Sequence, residues 1–177
     1  LEHELGIATT YYFRAVPASW DEGIIREIAG LGHEIGYHYE NLTTCGGDLR
    51  LAIDDFRLNL EKLRALAPVT TICMHGSPLS SVDNLELCKR YNYKELNIIA
   101  EPYLDIDYNQ VFYITDTGRK WNNKASSIRD RVDCRFNIPI RSTFHFMELA
   151  RQNALPDQIM INVHPQRWAD KPLPWLK

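Results

Sequence analysis

Residues 33–75 read HEIGYHYENLTTCGGDLRLAIDDFRLNLEKLRALAPVTTICMH, and this stretch decides the fold class. Residues 33–37 have the composition of a short strand. Residues 48–67 repeat apolar side chains at helical spacing until Pro68, which predicts a helix. Residues 70–74 are β-branched and apolar, as is typical of a buried strand. A strand, a long helix and a second strand in this order predict two parallel strands joined by a helix.

The same alternation continues on both sides of this stretch. A capping box, Ser19-x-x-Glu22, begins a predicted helix that ends before Gly32. Residues 1–5 have the pattern of a helix end, and we expect the strand before it to lie upstream of Leu1. Further strands are predicted at 7–13, 96–100, 111–114 and 159–163, and further helices at 84–91 and 143–151. This alternation predicts a largely parallel sheet with helical cover, either a barrel or a doubly wound sheet.

The composition fits one ordinary globular domain and excludes several functions. The chain has 177 residues, of which 45% are hydrophobic and 24% are charged. Its net charge is −3 and its basic residues are scattered, which argues against nucleic acid as the partner. No apolar run approaches the roughly 20 residues that cross a bilayer. The four cysteines form no C-x-x-C pair, so we expect free thiols in a reducing compartment and predict a cytoplasmic location.

Polar side chains that could bind a ligand or take part in catalysis follow the predicted strands one after another. They are Arg14, His38, His75, Glu101, Asp116 and His164. In parallel α/β architectures the carboxyl ends of the strands meet at one edge, where catalytic groups gather. Imidazoles that converge there with a carboxylate favour a divalent metal, and zinc is the expected ion. His33, which precedes a strand, suits a hydrogen bond that supports such a site, and a purely structural role is the alternative for each histidine.

Two sequence motifs resemble those of a known enzyme family. Gly32-His-Glu-Ile-Gly-Tyr-His38 resembles the second motif of the polysaccharide deacetylase family, carbohydrate esterase family four, and Met160-Ile-Asn-Val-His164-Pro165 resembles its last motif. The resemblance implies a deformed barrel of parallel strands and metal-dependent hydrolysis of an acetamide on a sugar. It also implies that His38 is a metal ligand and that His164 is the general acid.

The resemblance leaves two ligands to be supplied in another way. The family's paired aspartates, a metal ligand and the general base, belong to its first strand, which we expect upstream of Leu1. Its second histidine ligand lies four residues after the first, where this chain has Leu42. We therefore predict that His75 is a substitute ligand at the end of another strand. The chain alone is expected to release no acetate, and the internal carboxylates that could replace the base are Asp105, Asp107 and Asp116.

A polar segment in the second half of the chain suits a sugar. In Thr115-Asp-Thr-Gly-Arg-Lys-Trp121, Asp116 and Arg119 are predicted to bind sugar hydroxyls and Trp121 an apolar sugar face. The alternative is a polar turn in which Trp121 packs over the core. Arg14 and Glu101 are predicted as further substrate-binding residues, because each follows a strand.

The sequence therefore predicts a single α/β domain of the deacetylase barrel type that apparently lacks its first strand. Its predicted function is metal-dependent removal of an acyl group from an amino sugar of a surface polysaccharide or its precursor. Two alternatives remain open. One is a metal hydrolase of small amides, and the other is a non-catalytic carbohydrate-binding or structural domain in which Leu42 marks a lost ligand.

Overall fold

The computed structural model describes residues 2–76, 80–118, 120–121 and 132–165. The chain divides into two compact units, Leu1–Asp105 and Ile106–Lys177. None of the helices in these described ranges has the length and apolar content needed to cross a membrane.

The first unit is built on a small parallel sheet. Its strand order is β1-β2-β3, and both strand pairs are parallel. The strands are β1 (Thr10–Phe13), β2 (Glu34–Tyr39) and β3 (Ile72–Met74). The α-helices are α1 (Glu22–Gly30), α2 (Asn41–Thr44), α3 (Leu49–Arg64), α4 (Leu85–Arg90) and α5 (Pro102–Asp105). The described residues of this unit also form 3₁₀ turns at His3–Leu5, Pro17–Ser19 and Tyr93–Leu96.

The helices bury one face of this sheet. The long helix α3 begins at its cap Asp48, whose Oδ1 accepts hydrogen bonds from the N–H groups of Arg50 and Leu51. Its apolar stripe packs against alternate residues of β2 and β3, and each large side chain buried in this way contributes about 1.5–3 kcal/mol. The main buried residues of this core are Ile35, Tyr37, Tyr39, Phe56, Leu60, Leu63 and Ile72.

The opposite face of the sheet is polar and closely packed. Thr10 and Thr71 both donate hydrogen bonds to the carboxylate of Glu34, at 2.6 and 2.7 Å. The ring of Tyr12 lies so close to Gly36 that a side chain at position 36 would collide with it. His38 belongs to this face, because it stands two residues after Gly36 in the same strand.

The second unit contains its own sheet and core. Strands β4 (Phe112–Thr115) and β5 (Ile159–Asn162) pair in parallel, and helix α6 (Thr143–Arg151) precedes β5. The hydroxyl of Ser142 caps α6 by accepting a hydrogen bond from the N–H of His145. Phe112, Ile114 and Ile140 form the buried centre of this unit.

The predicted barrel is wrong, although the α/β class and the parallel pairing are present. In the described part of the chain the strands form one sheet of three and one sheet of two. The predicted strand 96–100 contributes to the first sheet a single parallel bridge, between Thr71 and Ala100. Tyr93–Leu96 instead turns as a 3₁₀ helix, and Ile99 is 68% exposed. Closure needs about eight paired strands around a filled interior, and these short pairings do not provide them.

Two predicted element ends also differ from the observed ones. Asp21, and not Ser19, caps α1 by accepting a hydrogen bond from the N–H of Ile24, because Ser19 belongs to the preceding 3₁₀ turn. The predicted helix end at 1–5 is the 3₁₀ turn His3–Leu5, closed by Gly6 in the left-handed conformation.

Candidate functional site

Four side chains meet at the carboxyl edge of the three-stranded sheet, and we call them the histidine cluster. Arg14 follows β1, His38 and Glu40 lie at the end of β2, and His75 follows β3. The register brings them together, because Phe13 pairs with Tyr37 and Tyr39 pairs with Met74. Each strand therefore delivers at least one polar side chain to the same edge.

The two predicted ligands, His38 and His75, lie side by side as expected. The Nε2 atom of His38 is 3.1 Å from the Nδ1 atom of His75, and the ring planes are nearly perpendicular, at 84°. The Nδ1 atom of His38 lies 2.9 Å from the carbonyl oxygen of Cys73. Because a carbonyl can only accept, this contact assigns a proton to Nδ1 and, in the neutral ring, leaves the lone pair on Nε2. That lone pair faces His75.

The backbone of His75 is fixed on both sides. Its N–H donates to the carbonyl of Tyr39 at 2.7 Å, and its carbonyl accepts from the side-chain amide of Asn84 at 2.8 Å. Asn84 is buried and also accepts a hydrogen bond from the N–H of Thr43. The imidazole of His75 is thus held at the strand end while its side chain stays 27% exposed.

Arg14, which the sequence predicts as a substrate-binding residue, is paired with Glu40. Its Nε donates to Oε1 at 2.9 Å and its terminal nitrogen to Oε2 at 2.8 Å, which is the two-pronged geometry of a strong ion pair. Sequence reasoning missed Glu40 because the predicted strand ended at residue 37. The available signal was its position two residues after His38, which places both side chains on one face of a continuing strand.

The cluster supplies two donors for a metal ion. Ring nitrogens that share one zinc ion lie roughly 3–4 Å apart, and the pair formed by His38 and His75 has that separation. Catalytic zinc sites use three protein ligands. Over the described ranges, no group of three or more His, Cys, Asp or Glu side chains is arranged to hold a metal ion. Leu42, where the deacetylase family has its second histidine, is buried in the apolar core.

Two other predicted residues of the first unit make hydrogen bonds with residues outside the histidine cluster. Glu101 is fully buried, and its carboxylate accepts hydrogen bonds from the N–H groups of Met74 and Tyr103 at 2.9 and 2.7 Å. Burial raises the pKa of Glu101 to about 7, although these N–H donors oppose the shift. His33 is buried before β2, and its Nδ1 contacts the hydroxyl of Thr9 at 3.1 Å. The hydrogen-bond partner of His33 is therefore Thr9, and not one of the two predicted metal ligands.

The second unit holds a separate histidine–carboxylate pair. Asp116 follows β4 and His164 lies two residues after β5, and the parallel register pairs Thr115 with Asn162. The Nδ1 atom of His164 is 2.5 Å from one oxygen of Asp116, and the N–H of His164 donates to the other at 3.1 Å. Asp116, predicted to bind substrate, thus orients His164. A proton on Nδ1 leaves Nε2 as the nitrogen for proton transfer.

The predicted sugar-binding segment is described only in part. The indole N–H of Trp121 donates to the hydroxyl of Thr143 at 3.2 Å, and its ring lies 6.1 Å from that of Phe146. Trp121 therefore packs against the core of the second unit, as the alternative reading of this segment predicts. Arg119 lies outside the described residues.

A small cavity in the first unit does not coincide with the histidine cluster. It is lined by α3, α4 and the residues after them, including Phe56, Leu87 and Tyr91. Its volume of about 40 Å³ is too small for a sugar and suits one or a few water molecules. The cluster, which is open to solvent at His75, is the better candidate for binding a ligand.

No family model, curated protein or solved structure matches the chain. The resemblance to the polysaccharide deacetylase family therefore rests on the two motifs that end in His38 and His164.

Proposed function

We propose that the chain is a metal-dependent hydrolase that removes an acyl group from an amino sugar, with His38 and His75 as two ligands of a divalent metal. The observation that carries the proposal is the 3.1 Å separation of His38 Nε2 and His75 Nδ1 at the carboxyl edge of a parallel sheet. The expected ion is zinc, because two imidazoles are its usual nitrogen ligands. The amino-sugar substrate is supported by the resemblance of the two motifs.

The orientation of His38 favours a metal over a random contact between two surface rings. The carbonyl of Cys73 fixes the outer nitrogen of His38, as an oxygen acceptor does for most histidines that bind metals. The inner nitrogen then presents its lone pair toward His75. A hydrogen bond from His75 would satisfy the same lone pair, so the measurement of zinc affinity distinguishes the two arrangements.

The chemistry divides between the bound ion and the side chains. Zinc supplies Lewis-acid polarisation of a carbonyl. His38 and His75 would hold the ion, and Arg14 keeps the carboxylate of Glu40 directed at the cluster. His164, which the resemblance implies as a general acid, lies in the second unit, where Asp116 holds its Nδ1 and leaves its Nε2 for proton transfer.

Hydrolysis is tested with an added carboxylate in the role of the general base. Glu40, the carboxylate of the cluster, is engaged by Arg14. We therefore expect the zinc-loaded chain to release acetate from a trimer of N-acetylglucosamine much faster with formate than without it. A general base contributes about 10²–10⁴ in rate, so formate should raise the release of free amine by a factor of this order.

Two variants and one control make this assay decisive. H38A and H75A should each abolish the formate-dependent release. H3A, which changes an exposed histidine of a 3₁₀ turn, should behave as the wild type. A zinc-loaded chain that releases no amine with formate, or that releases it equally without His38, would contradict the proposed hydrolase. Binding of the trimer without release would indicate a carbohydrate-binding domain.

A further inference from the structure

The polar face of the three-stranded sheet carries a row of residues that leads to the histidine cluster, and we call this row the polar strip. Alternate residues of a strand share one face, so the strip runs along two neighbouring strands. Its members are Thr10 and Tyr12 of β1 and Glu34, Gly36 and His38 of β2. Thr10 is exposed, and the side chains of Tyr12, Glu34 and His38 are partly exposed. The strip therefore reaches solvent at both ends and at its centre.

Tyr12 lies at the centre of the polar strip, and its ring is held in place. The ring contacts Gly36 so closely that a Cβ atom at this position would collide with two ring carbons. The hydroxyl of Tyr12 donates to Oγ1 of Thr71 at 3.4 Å, and the ring centre lies 6.4 Å from that of His38. An aromatic ring that is already ordered offers apolar contact area at a low cost in side-chain entropy. Tyr12 is thus suited to stack on the apolar face of a sugar ring.

Glu34 supplies oriented hydrogen-bond acceptors at the other end of the polar strip. Its Oε1 accepts from the hydroxyl of Thr71 at 2.7 Å, and its Oε2 accepts from the hydroxyl of Thr10 at 2.6 Å. A carboxylate has about four acceptor positions, so the two bonds fix its plane and leave further positions on both oxygens. Hydroxyl groups of a sugar donate hydrogen bonds of the kind that such a carboxylate accepts.

We infer that the polar strip binds an oligosaccharide, with Tyr12 stacked on one sugar ring and Glu34 accepting hydrogen bonds from its hydroxyl groups; the inference deepens the proposed function and rests on it for the kind of sugar. A strand rises about 3.3 Å per residue, so Glu34 and His38 are about 13 Å apart along β2. One sugar ring is shorter than this distance. The substrate class is therefore a chain of at least two amino sugars, and Tyr12 takes the stacking role that the sequence assigned to Trp121.

Binding of N-acetylglucosamine and of its trimer to the metal-free protein tests the inference without zinc. We expect the trimer to bind more tightly than the single sugar. Y12L removes the ring and should weaken trimer binding by about 3- to 10-fold, whereas Y12F keeps the ring and should bind nearly as the wild type does. E34Q replaces a charged acceptor by a neutral one and should weaken trimer binding by about 10-fold. Calorimetric titration measures each affinity, and circular dichroism verifies folding.

Two substitutions outside the polar strip are the matched controls. Y91L changes a tyrosine that lines the small cavity, and E22Q changes the exposed partner of Arg26. Both variants should bind the trimer as the wild type does. Nuclear Overhauser effects between the trimer and the labelled tyrosine rings of the wild type give a second readout, which carries the test if Y12L does not fold. We expect contacts from sugar ring protons to Tyr12, whose ring signals are identified by their loss in Y12F.

The possible results distinguish this inference from the proposed function. Trimer binding that is weaker in Y12L and E34Q, but not in the controls, supports the polar strip. Equal binding by all variants, a bound trimer without contacts to Tyr12, or a wild type that binds no trimer overturns it. Release of amine by the zinc-loaded protein decides the proposed function separately. If Y12L and E34Q release amine from the trimer as the wild type does, the proposed function stands and the polar strip does not bind the substrate.

Discussion

Two carboxylates of the first unit meet opposite environments. Glu40, whose side chain is 12% exposed, pairs with the cation of Arg14, whereas Glu101 is fully buried and is held by the uncharged N–H groups of Met74 and Tyr103. Burial disfavours the charged form of Glu101, and its pKa is therefore raised to about 7. The protonated carboxyl is the form that the folded protein holds below that pH.

The raised pKa of Glu101 predicts that stability falls as the pH rises. An unfolded glutamate ionises near pH 4.5, whereas the folded one ionises near pH 7. Stabilisation by this group is thus complete below about pH 4.5 and is lost as the pH rises to about 7, by an amount on the order of 3 kcal/mol. Urea unfolding at pH 5 and pH 7.5, followed by NMR signals of the first unit, should show this loss in the wild type and not in E101Q. Equal pH dependence in both proteins would show that Glu101 is ionised throughout.

Residue types at the cluster could be predicted from the sequence, but their partners could not. Arg14 and His75 each follow an observed strand, and His38 lies in the last part of β2, so the prediction of a shared edge holds for these three. The role of Arg14 depends on Glu40. Because the predicted strand ended at residue 37, the sequence analysis placed Glu40 in a loop. A pairing between side chains 26 positions apart is set by strand register, and sequence patterns do not contain it.

At the level of elements, the strength of the local signal decided which predictions were right. The pattern of α3 was clear, because an acidic cap, a long apolar stripe and a following proline agree. The predicted strand 96–100 had only a short apolar run, and the 3₁₀ turn at Tyr93–Leu96 and the exposure of Ile99 limit it to one bridge. Short runs of this kind do not distinguish a paired strand from a turn.

The cap of α3 gives a prediction at this scale. D48A removes the oxygen that accepts hydrogen bonds from the N–H groups of Arg50 and Leu51, and we expect it to lower the free energy of unfolding of the first unit by about 1 kcal/mol. D54A, on the exposed side of the same helix, removes an acidic residue without a capping role and should change stability by less than about 0.5 kcal/mol. Urea unfolding of both variants measures the difference. Equal effects would show that Asp48 acts only through its charge.

For the whole molecule, local patterns predicted parallel pairing but not how far the sheet extends. Alternating strands and helices are common to barrels and open sheets, and closure depends on the number and stagger of the strands. The structure shows a sheet of three strands with helices on one face and a polar face that carries His38. The histidine cluster needs only these three strands, so the correction of the barrel leaves its geometry intact.

Zinc binding by the wild type and its histidine variants tests the central claim most directly. Titration against a chromogenic chelator measures both the stoichiometry and the affinity. We predict one zinc ion per wild-type chain, loss of that ion in H38A and in H75A, and unchanged binding in H3A, because His38 Nε2 and His75 Nδ1 are placed to share one ion. A wild type that binds no zinc, or variants of His38 and His75 that bind it as tightly as the wild type, would contradict the account.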